Sequence, residues 1–427
     1  MNVKTLTHSS LFILSAALST TAFGSGFALN ELSARSTAQA FAGRVSDADE
    51  AATVATNPAG MSLLKHAEVS FGASFVDAKS DISNVSSKVS VLNVSGTNDG
   101  DMIPFTSIPF GYYVQPIDDK LALGFGVYAP FGLATEHEDT FQGRYFGTVS
   151  DIQVITFQPT VSYKLTNNLS LGLGITYNRF DGKLEKAIFT GASSPDARAK
   201  VKGDDDAWGY NLGAIYEFSA DTRIGLTYYS KVKYTLDGHT TLSSVPVPLG
   251  GPSLRYNASL DIETPDRIDL GITHNLTPDL TLHGEIVRTN WKTLDEIRVE
   301  NETSNPVFAT SVEPLDWDKT MLYSIALSYK LAPQWILRGG FALDEQPMSD
   351  STRSVRLPAG DRKIYSLGTT WSPMQSLDID LAYMYIKEDS ATVSQRTSTL
   401  SGGLPITYSA KFENEINIFA LQGTWKF

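Results

Sequence analysis

Apolar residues alternate with small or polar residues over most of the sequence, and this period of two constrains the fold more than any other feature. In NLSLGLGITYNRF, Leu, Ile and Tyr occupy every second position from 169 to 177, and Ser, Gly and Thr fill the positions between them. The pattern returns in DKLALGFGVYAPF, RIDLGITHNL, LTLHGEIVRTNW, MLYSIALSYKL, QWILRGGFAL and LDIDLAYMYI. Because successive side chains of a strand point to opposite faces, it predicts β-strands with one apolar and one small, polar face.

The composition of the polar face distinguishes two classes of β protein. A soluble sandwich usually carries Lys and Glu on the face that meets water, whereas Gly, Ser, Thr, Asn and Ala predominate here. No internal apolar run reaches the roughly 18 residues that a membrane helix needs. Small polar residues inside and apolar residues outside are typical of a β-barrel in lipid.

Short turns alternate with long irregular stretches along the chain. The turns contain Asp, Asn, Pro or Ser and lie at 116–120, 165–168, 219–222, 276–279, 331–334 and 372–376. The long stretches lie at 134–147, 190–205, 238–262, 300–313, 346–360 and 389–411. Six turns join twelve strands, and one further strand at each end, near 67–80 and 412–427, makes about fourteen. The sequence therefore predicts an all-β fold, a 14-stranded antiparallel transmembrane β-barrel with short periplasmic turns and long outer loops.

The C-terminal segment INIFALQGTWKF supports this interpretation. Phe419, Leu421, Trp425 and Phe427 fall on one face, as expected for the aromatic girdle of a barrel strand. A final aromatic residue also resembles the insertion signal of outer-membrane barrels. The alternative is an ordinary closing strand of a soluble sheet.

The N-terminus carries the one compact apolar run, LFILSAALSTTA, which follows Lys4 and precedes the small-x-small sequence at 22–24. This pattern predicts a secretory signal peptide over residues 1–24, cleaved before Ser25. The alternative is the start of a buried helix. Export to the bacterial outer membrane follows from the signal and the strand pattern together.

Charge and motif content exclude several function classes. The net charge of −13 argues against nucleic acid as a partner, because binding it requires basic patches. The acidic segment GDDDAW at 203–208 is expected to be a solvated loop. There is no cysteine, and no His-x-x-x-His pair, G-x-S-x-G elbow or Gly-rich phosphate loop occurs. We therefore expect no enzymatic activity, no cofactor and no metal.

Residues 25–66 do not fit the strand pattern. They are mostly small or apolar, and Pro58 lies where a ladder donor would be needed. A barrel of about fourteen strands is too wide for side chains alone to fill, so it is either an open channel or is blocked. We expect residues 25–66 to form a hatch, or plug, in the lumen, and residues 67–427 to form the transmembrane β-barrel.

Four segments together resemble the FadL family of outer-membrane transporters for long-chain fatty acids and other hydrophobic compounds. They are SGFALNELSARSTAQAFAG, DADEAATVATNPAGM, YAPFGLATEHEDTFQGRY and LPAGDRKIYSLGTTW. The resemblance covers essentially the whole mature chain, and the order of GF-LNE, NPAGM and GLATE is specific. It implies a fourteen-stranded barrel whose N-terminal hatch fills the lumen and contributes to the ligand pocket.

The resemblance also assigns candidate residues to the hatch and to the barrel wall. Those of the hatch and pocket are Ser25, Gly26, Phe27, Leu29, Asn57, Pro58 and Ala59. A kink in the third strand, with a lateral gap, maps to Tyr128, Pro130, Phe131 and Gly132. Pro130 removes a ladder hydrogen bond and Gly132 permits a bend, so local unpairing is physically reasonable. The alternative is that Pro130 ends the strand.

The loop after the third strand is a candidate for extracellular capture of an apolar ligand. Its candidate residues are Leu133, Phe141, Tyr145 and Phe146. By correspondence with basic pocket residues of the family, Arg144, Lys186 and Lys319 are possible carboxylate contacts. The alternative is that these three are rim charges paired with acidic neighbours. Arg356, Asp361 and Arg362 are expected to form an ion-pair cluster inside the wall.

The function implied by the resemblance is passive uptake of long-chain fatty acids, with capture at the loops, a pocket gated by the hatch and lateral exit near the third strand. One alternative is uptake of aromatic or alkane hydrocarbons. A second is a general porin or structural barrel, which would lack a hatch and carry luminal charge, whereas the lumen faces look small and neutral. Expected partners are a hydrophobic small molecule, outer-membrane lipid and lipopolysaccharide. A plugged single-chain barrel needs no partner subunit, so we expect a monomer.

Overall fold

Fourteen antiparallel strands form a closed barrel in the computed structural model, which describes residues 26–191, 195–247, 251, 253–399 and 403–427. The strands are β1 (Glu68–Val89), β2 (Thr106–Pro116), β3 (Leu121–Glu136), β4 (Val149–Lys164), β5 (Leu169–Ile188), β6 (Ala197–Glu217), β7 (Thr222–Tyr229 and Val232–Ser243), β8 (Ser253–Thr264 and Arg267–Thr277), β9 (Leu280–Asn290 and Glu296–Asn301), β10 (Thr310–Pro314 and Lys319–Ala332), β11 (Trp335–Asp344), β12 (Arg362–Met374), β13 (Leu377–Glu388 and Ala391–Ser398) and β14 (Pro405–Lys426). The predicted fourteen-stranded barrel is confirmed.

Closure comes from the last strand, which pairs with both the first strand and the thirteenth. Glu68 of β1 lies opposite Lys426, and Leu377 of β13 lies opposite Trp425. The short helical elements are α1 (Ala34–Ala38), α2 (Thr53–Thr56), a 3-10 turn Pro58–Leu63, a second 3-10 turn Trp291–Thr293 and α3 (Pro306–Ala309). No helix in the described ranges is long and apolar enough to cross a membrane.

The connections are short at one end of the barrel and long at the other, which we call the turn end and the loop end. All six predicted turns lie at the turn end. They join β2 to β3, β4 to β5, β6 to β7, β8 to β9, β10 to β11 and β12 to β13. Most of the predicted loops were too long, because β6 begins at Ala197, β7 runs to Ser243, β10 begins at Thr310 and β14 begins at Pro405. Strand pairing beyond the lipid needs backbone hydrogen bonds and not apolar side chains, so a polar composition does not end a strand.

The segment GDDDAW is part of β6, and the prediction that it forms a loop is wrong. Asp204 and Asp206 point outward and pair with Arg179 of β5. The C-terminal face was predicted correctly, because Phe419, Leu421, Trp425 and Phe427 are all exposed on the exterior. Trp335 and Trp371 stack on neighbouring strands at the turn end, with ring centroids 5.8 Å apart, as in an aromatic girdle.

Residues 26–64 are folded against the inward faces of the strands. Helix α1 packs on β12 and β13, and the turn Pro58–Leu63 packs on β4, β5 and β6. The interior is therefore occupied by the chain's own N-terminal segment, which we call the hatch.

Inward-facing glycines allow the hatch backbone to lie directly on the wall. A Cβ at Gly225 of β7 would lie 1.7 Å from the carbonyl oxygen of Val45, and a Cβ at Gly172 of β5 would lie 2.3 Å from the carbonyl carbon of Pro58. Such distances are far inside van der Waals contact. The small residues on the inner face thus reflect close packing against the hatch.

Replacement of Gly225 by Val is expected to loosen the hatch and leave the wall intact. The added methyl groups collide with the Val45 carbonyl, and overpacking of this kind costs about 1–3 kcal/mol. We expect a larger single-channel conductance in planar bilayers. The matched control is Gly423→Val, because the nearest heavy atom to a Cβ there is 3.9 Å away. Wild-type conductance for Gly225→Val would contradict this account.

Candidate functional site

The N-terminal segment of the hatch pairs with the third strand as a short extra strand. The Leu29 amide donates to the Pro130 carbonyl at 2.8 Å, and the Gly132 amide donates to the Phe27 carbonyl at 3.0 Å. Ala28 lies opposite Phe131 in an antiparallel bridge. Ser25, the remaining predicted residue of this segment, lies outside the described residues.

The wall itself is interrupted beside this bridge. Pairing between β2 and β3 runs from Pro116 and Ala122 to Gly111 and Val127, and within the described chain it goes no further. The register between β3 and β4 shifts between Tyr128 and Phe131. Strand β3 nevertheless continues past Pro130 to Glu136, so Pro130 does not end it. Past Val127, β3 bonds to the hatch on the side where β2 would otherwise lie.

Four aromatic rings surround the start of the hatch. The Phe27 ring centroid lies 4.9 Å from that of Trp291, 5.7 Å from Phe131 and 6.0 Å from Trp317. Gly26 has a φ of +61°, and a Cβ there would lie 2.7 Å from the Trp291 ring, so only glycine fits. Sequence reasoning missed both tryptophans. The feature of the sequence that could have indicated Trp291 is the break in the alternation at NWKTLDE, where the 3-10 turn Trp291–Thr293 interrupts β9.

A cavity of about 80 Å³ adjoins this cluster, and we call it the hatch cavity. Its lining includes Leu29, Tyr128, Pro130, Phe131, Tyr210, Tyr229, Tyr234 and Arg267. Arg267 is already neutralised, because its guanidinium donates to both carboxylate oxygens of Asp269 and to Asn30 Oδ1 at 3.1 Å. It also lies over the Tyr229 ring at 5.1 Å.

A second cavity, of about 130 Å³, lies near the loop end, and we call it the loop-end cavity. Its apolar lining includes Leu184, Ile188, Val201, Leu242, Ile297 and Phe308. Lys186 lies in this lining and donates to Ser311 Oγ at 3.3 Å. Arg356 also lines the cavity and donates to Glu313 at 3.1 Å. Glu185 lines the cavity as well, and its carboxylate pairs with Lys200 at 3.3 Å and with Arg198 at 3.7 Å. Arg356 is balanced by Glu313, whereas no salt bridge joins Lys186 to a carboxylate within the residues that the structure describes.

A smaller cavity of about 30 Å³ lies between these two. It shares Leu184, Val201 and Ile297 with the loop-end cavity. Its lining continues to Phe180, Leu236 and Ile262, which are each two positions from a residue of the hatch cavity on the same strand face. The three cavities thus follow one line down the inner wall of β5 to β9.

The motif Asn57-Pro58-Ala59 holds the hatch to the wall and does not line the hatch cavity. The side-chain Nδ2 of Asn57 donates to the carbonyl of Val45 at 2.6 Å and to the carbonyl of Ala214, in β6, at 3.2 Å. Its Oδ1 accepts from the Ala59 amide at 3.1 Å and so caps the turn that begins at Pro58. One side chain joins two parts of the hatch to the barrel.

The candidate capture residues Leu133, Phe141, Tyr145 and Phe146 are all buried. Phe141 stacks on His137 with ring centroids 3.9 Å apart, and the Tyr145 hydroxyl donates to Asp196 at 3.0 Å. They form the core of the loop end and do not present an open apolar surface.

The three candidate carboxylate contacts lie in different places. Arg144 pairs with Asp196 at 2.8 Å. Lys319 is exposed and does not line the three cavities described above. Of these three residues, Lys186 is the one that lines one of the three described cavities.

The charges inside the barrel contradict the prediction of a neutral lumen. Hatch Arg35 pairs with Asp378 at 2.7 Å and with Asp380 at 2.9 Å, both on β13. Hatch Arg44 pairs with Glu285 at 2.8 Å and with Asp269 at 3.3 Å. Alternation shows only that an inner position is polar, and these few carboxylates were hidden among many small residues.

The predicted ion-pair cluster of Arg356, Asp361 and Arg362 is only partly correct. Both arginines are buried in ion pairs, Arg356 with Glu313 and Arg362 with Glu388 at 2.7 Å. Asp361 instead accepts from the backbone amide of Gln346 at 2.8 Å.

Comparison with known proteins places this geometry among transport barrels. The family model described as "Outer membrane protein transport protein (OMPP1/FadL/TodX)" matches residues 15–427. The chain is 28% identical to the "Long-chain fatty acid transport protein" of Escherichia coli O6:H1 over 100% of both chains, and 30% identical to "Outer membrane protein P1" of Haemophilus influenzae over 84% of this chain and 85% of that protein.

Solved structures share the fold. A Pseudomonas aeruginosa FadL homologue superposes with a TM-score of 0.84 at 22% identity, over 94% of this chain and 100% of that chain. The Ralstonia pickettii toluene transporter TbuX superposes with a TM-score of 0.68 at 19% identity, over 93% and 100%.

Docking of the hatch is expected to weaken as the pH rises. Glu50 accepts hydrogen bonds from Ser33 Oγ at 2.6 Å and Gln422 Nε2 at 2.7 Å, and burial raises its pKa to about 7 against the favourable charge of Arg35. Between about pH 4.5 and 7 the docked hatch binds a proton that the released hatch does not. The contribution of Glu50 to docking should therefore fall by on the order of 3 kcal/mol across this window and be constant above it.

Hydrogen exchange of the hatch amides, corrected for intrinsic rates, measures this slope. Glu50→Gln should reduce the dependence of hatch docking on pH. Part of this dependence should remain, because burial also raises the pKa of Glu31. The matched control is Glu136→Gln, which removes an exposed carboxylate at the loop end. An unchanged slope in Glu50→Gln would show that another group titrates.

Proposed function

Since the chain belongs to the OMPP1/FadL/TodX family of outer membrane transport proteins, we propose that it takes up long-chain fatty acids passively across the bacterial outer membrane. The observation that carries this proposal is the line of three cavities from the loop end to the hatch, with Lys186 in the first of them. The coarser function, transport of hydrophobic compounds by an outer-membrane barrel, follows from the family.

Burial of the acyl chain drives capture in this proposal. Each methylene that leaves water gains about 0.8 kcal/mol, so an apolar cavity binds a long chain without an energy source. The net charge of −13 does not attract a carboxylate from a distance. Lys186, which has no salt-bridge partner within the described residues, supplies a cation for the carboxylate where the ligand enters.

Movement along the path requires side chains to shift. Ligand pockets are usually about 300–1,000 Å³, whereas the largest of these three cavities is about 130 Å³. The cavities therefore mark a closed path that the ligand opens as it advances. The part of the path that we expect to yield last is the hatch segment that ends at Leu29, because backbone hydrogen bonds hold it to β3.

Release of that segment opens a lateral exit. Residues 26–29 occupy the space where β3 has left β2, so their withdrawal joins the hatch cavity to the gap in the wall. The ligand then leaves sideways into the bilayer without crossing the charged turn end of the lumen. Concentration differences are sufficient to set the direction.

Uptake of aromatic hydrocarbons is the second candidate, and the aromatic cluster at the start of the hatch favours it. Phe27, Phe131, Trp291 and Trp317 offer ring faces and edges to a neutral aromatic ligand. Arg267, the cation at this depth, is neutralised by Asp269 and offers a carboxylate little.

Lys186→Met is expected to weaken oleate binding about tenfold, because the charged hydrogen bond to a buried carboxylate is lost. The measurement is displacement of a fluorescent fatty acid from the purified barrel in detergent, with oleate and toluene as competitors. Lys319→Met is the matched control and should bind oleate normally. Displacement by toluene alone would assign the barrel to hydrocarbon uptake.

A reversible covalent bond tests the exit. The chain has no cysteine, and Ala28 and Phe131 are directly opposed, so Ala28→Cys/Phe131→Cys should form a disulfide that ties the hatch to β3. Oleate uptake by cells should stop when this bond is oxidised and recover on reduction. The control pair Val76→Cys/Ile418→Cys lies across the seam of β1 and β14 and leaves the hatch free. Uptake by the oxidised Ala28/Phe131 variant would overturn the lateral exit.

A further inference from the structure

Four basic side chains meet on the exterior of the barrel at the loop end. Lys202 of β6 lies directly opposite Lys183 of β5 and opposite His239 of β7. Arg255 of β8 belongs to the next row, opposite Thr241, one alternation above His239. We call Lys183, Lys202, His239 and Arg255 the exterior basic cluster.

These residues point away from the lumen. On β6, Lys202 shares its face with Asp204, Asp206 and Trp208, and all four side chains are exposed. Val201 and Gly203 alternate with them, and the wall from Val201 to Gly203 borders the smallest cavity. Directly opposed residues on neighbouring strands share a face, so the remaining members point outward as well.

No salt bridge joins any of the four to a carboxylate within the part of the chain that the structure describes. Neighbouring exterior cations do have such partners: Arg179 pairs with Asp204, Lys200 with Glu185, and Lys231 and Lys233 with Glu263. Like charges at directly opposed positions are destabilising. Asp151 of β4 lies directly opposite Lys183 at one edge of the cluster, without a salt bridge between them within the described residues. The cluster keeps an excess of positive charge beside this one carboxylate, so it suits an anion that binds between Lys202, His239 and Arg255.

The cluster lies well outside the apolar band of the barrel. Trp208, which is 67% exposed, marks the edge of that band on β6. Lys202 lies six residues further along the strand, about 20 Å in length or about 15 Å along the membrane normal for a strand tilted by about 40°. Asp181, Asp204 and Asp237 form an acidic row one step nearer the membrane.

We propose that the exterior basic cluster binds phosphate groups on the core sugars of outer-leaflet lipopolysaccharide. Glycolipid surrounds the outside of a barrel in this leaflet, so a cation on the outer wall meets its anionic groups at high local concentration. The acidic row repels the lipid A phosphates beneath, which leaves the core phosphates above as the matching anions. Arg255 and the two lysines supply charge-assisted hydrogen bonds, and His239 adds a donor. The proposal rests on the outer-membrane location and not on the proposed ligand path, although the wall at Lys202 borders the smallest of the three cavities.

The test compares two triple variants that remove the same charge. Lys183→Gln/Lys202→Gln/Arg255→Gln removes the cluster, and Lys363→Gln/Lys387→Gln/Lys411→Gln removes three exterior lysines that pair with Asp389, Glu415 and Glu413. Binding of purified lipopolysaccharide to the barrel in detergent is titrated at physiological salt. We expect the first variant to bind about ten- to a hundredfold more weakly and the second to bind as the wild type does.

Three further ligands identify the anion. Two of the ligands lack the core phosphates: lipopolysaccharide stripped of them, and lipid A alone. Both should bind the wild type weakly, with the affinity that the first variant shows for complete lipopolysaccharide. Inorganic phosphate at millimolar concentration should not compete. The proposal is overturned if the two triple variants lose affinity equally, if the first variant binds normally, or if lipid A or free phosphate binds as tightly as complete lipopolysaccharide. An unchanged circular dichroism spectrum and thermal transition of the first variant show that the barrel is folded.

Discussion

Every backbone amide and carbonyl that faces hydrocarbon has to find a partner within the protein, and the whole architecture depends on this constraint. Thirteen neighbouring strand pairs and the seam of β1 and β14 satisfy it around the barrel. Strand pairing does not satisfy it where β3 leaves β2 beyond Val127. There the hatch supplies the missing partners through Phe27 and Leu29, so the same hydrogen bonds complete the wall and close the proposed exit.

The inner surface of the barrel is complementary to the hatch in shape and in charge. Glycines such as Gly172 and Gly225 leave room for the hatch backbone, and the carboxylates of β8, β9 and β13 face hatch arginines. Breaking one partner of such a buried pair leaves an uncompensated charge, so the hatch is held in one position. The apolar cavities lie along the part of the wall where neither the hatch backbone nor these ion pairs fill the space.

Sequence reasoning reached the strand number because the turns and the alternation are local signals. Asp, Asn and Pro at a turn act on the adjacent backbone, and the period of two needs no knowledge of neighbouring strands. It was wrong about GDDDAW and about the loop-end lengths, because a polar strand beyond the lipid has the composition of a loop. It missed Trp291 and Trp317, because their contact with Phe27 joins positions more than 260 residues apart in sequence.

By itself, the sequence determined which face of each strand meets lipid, how many strands there are and which segment cannot be a strand, since all three depend on the order of residues along one stretch of chain. The tertiary structure alone decided which polar residues neutralise each other, which aromatic rings meet, and that Lys186, unlike Lys319 and Arg144, lines one of the three described cavities. Such contacts depend on how strands are placed around the barrel and where the hatch lies inside it. A closed barrel brings residues hundreds of positions apart into contact, and periodicity carries no information about those distances.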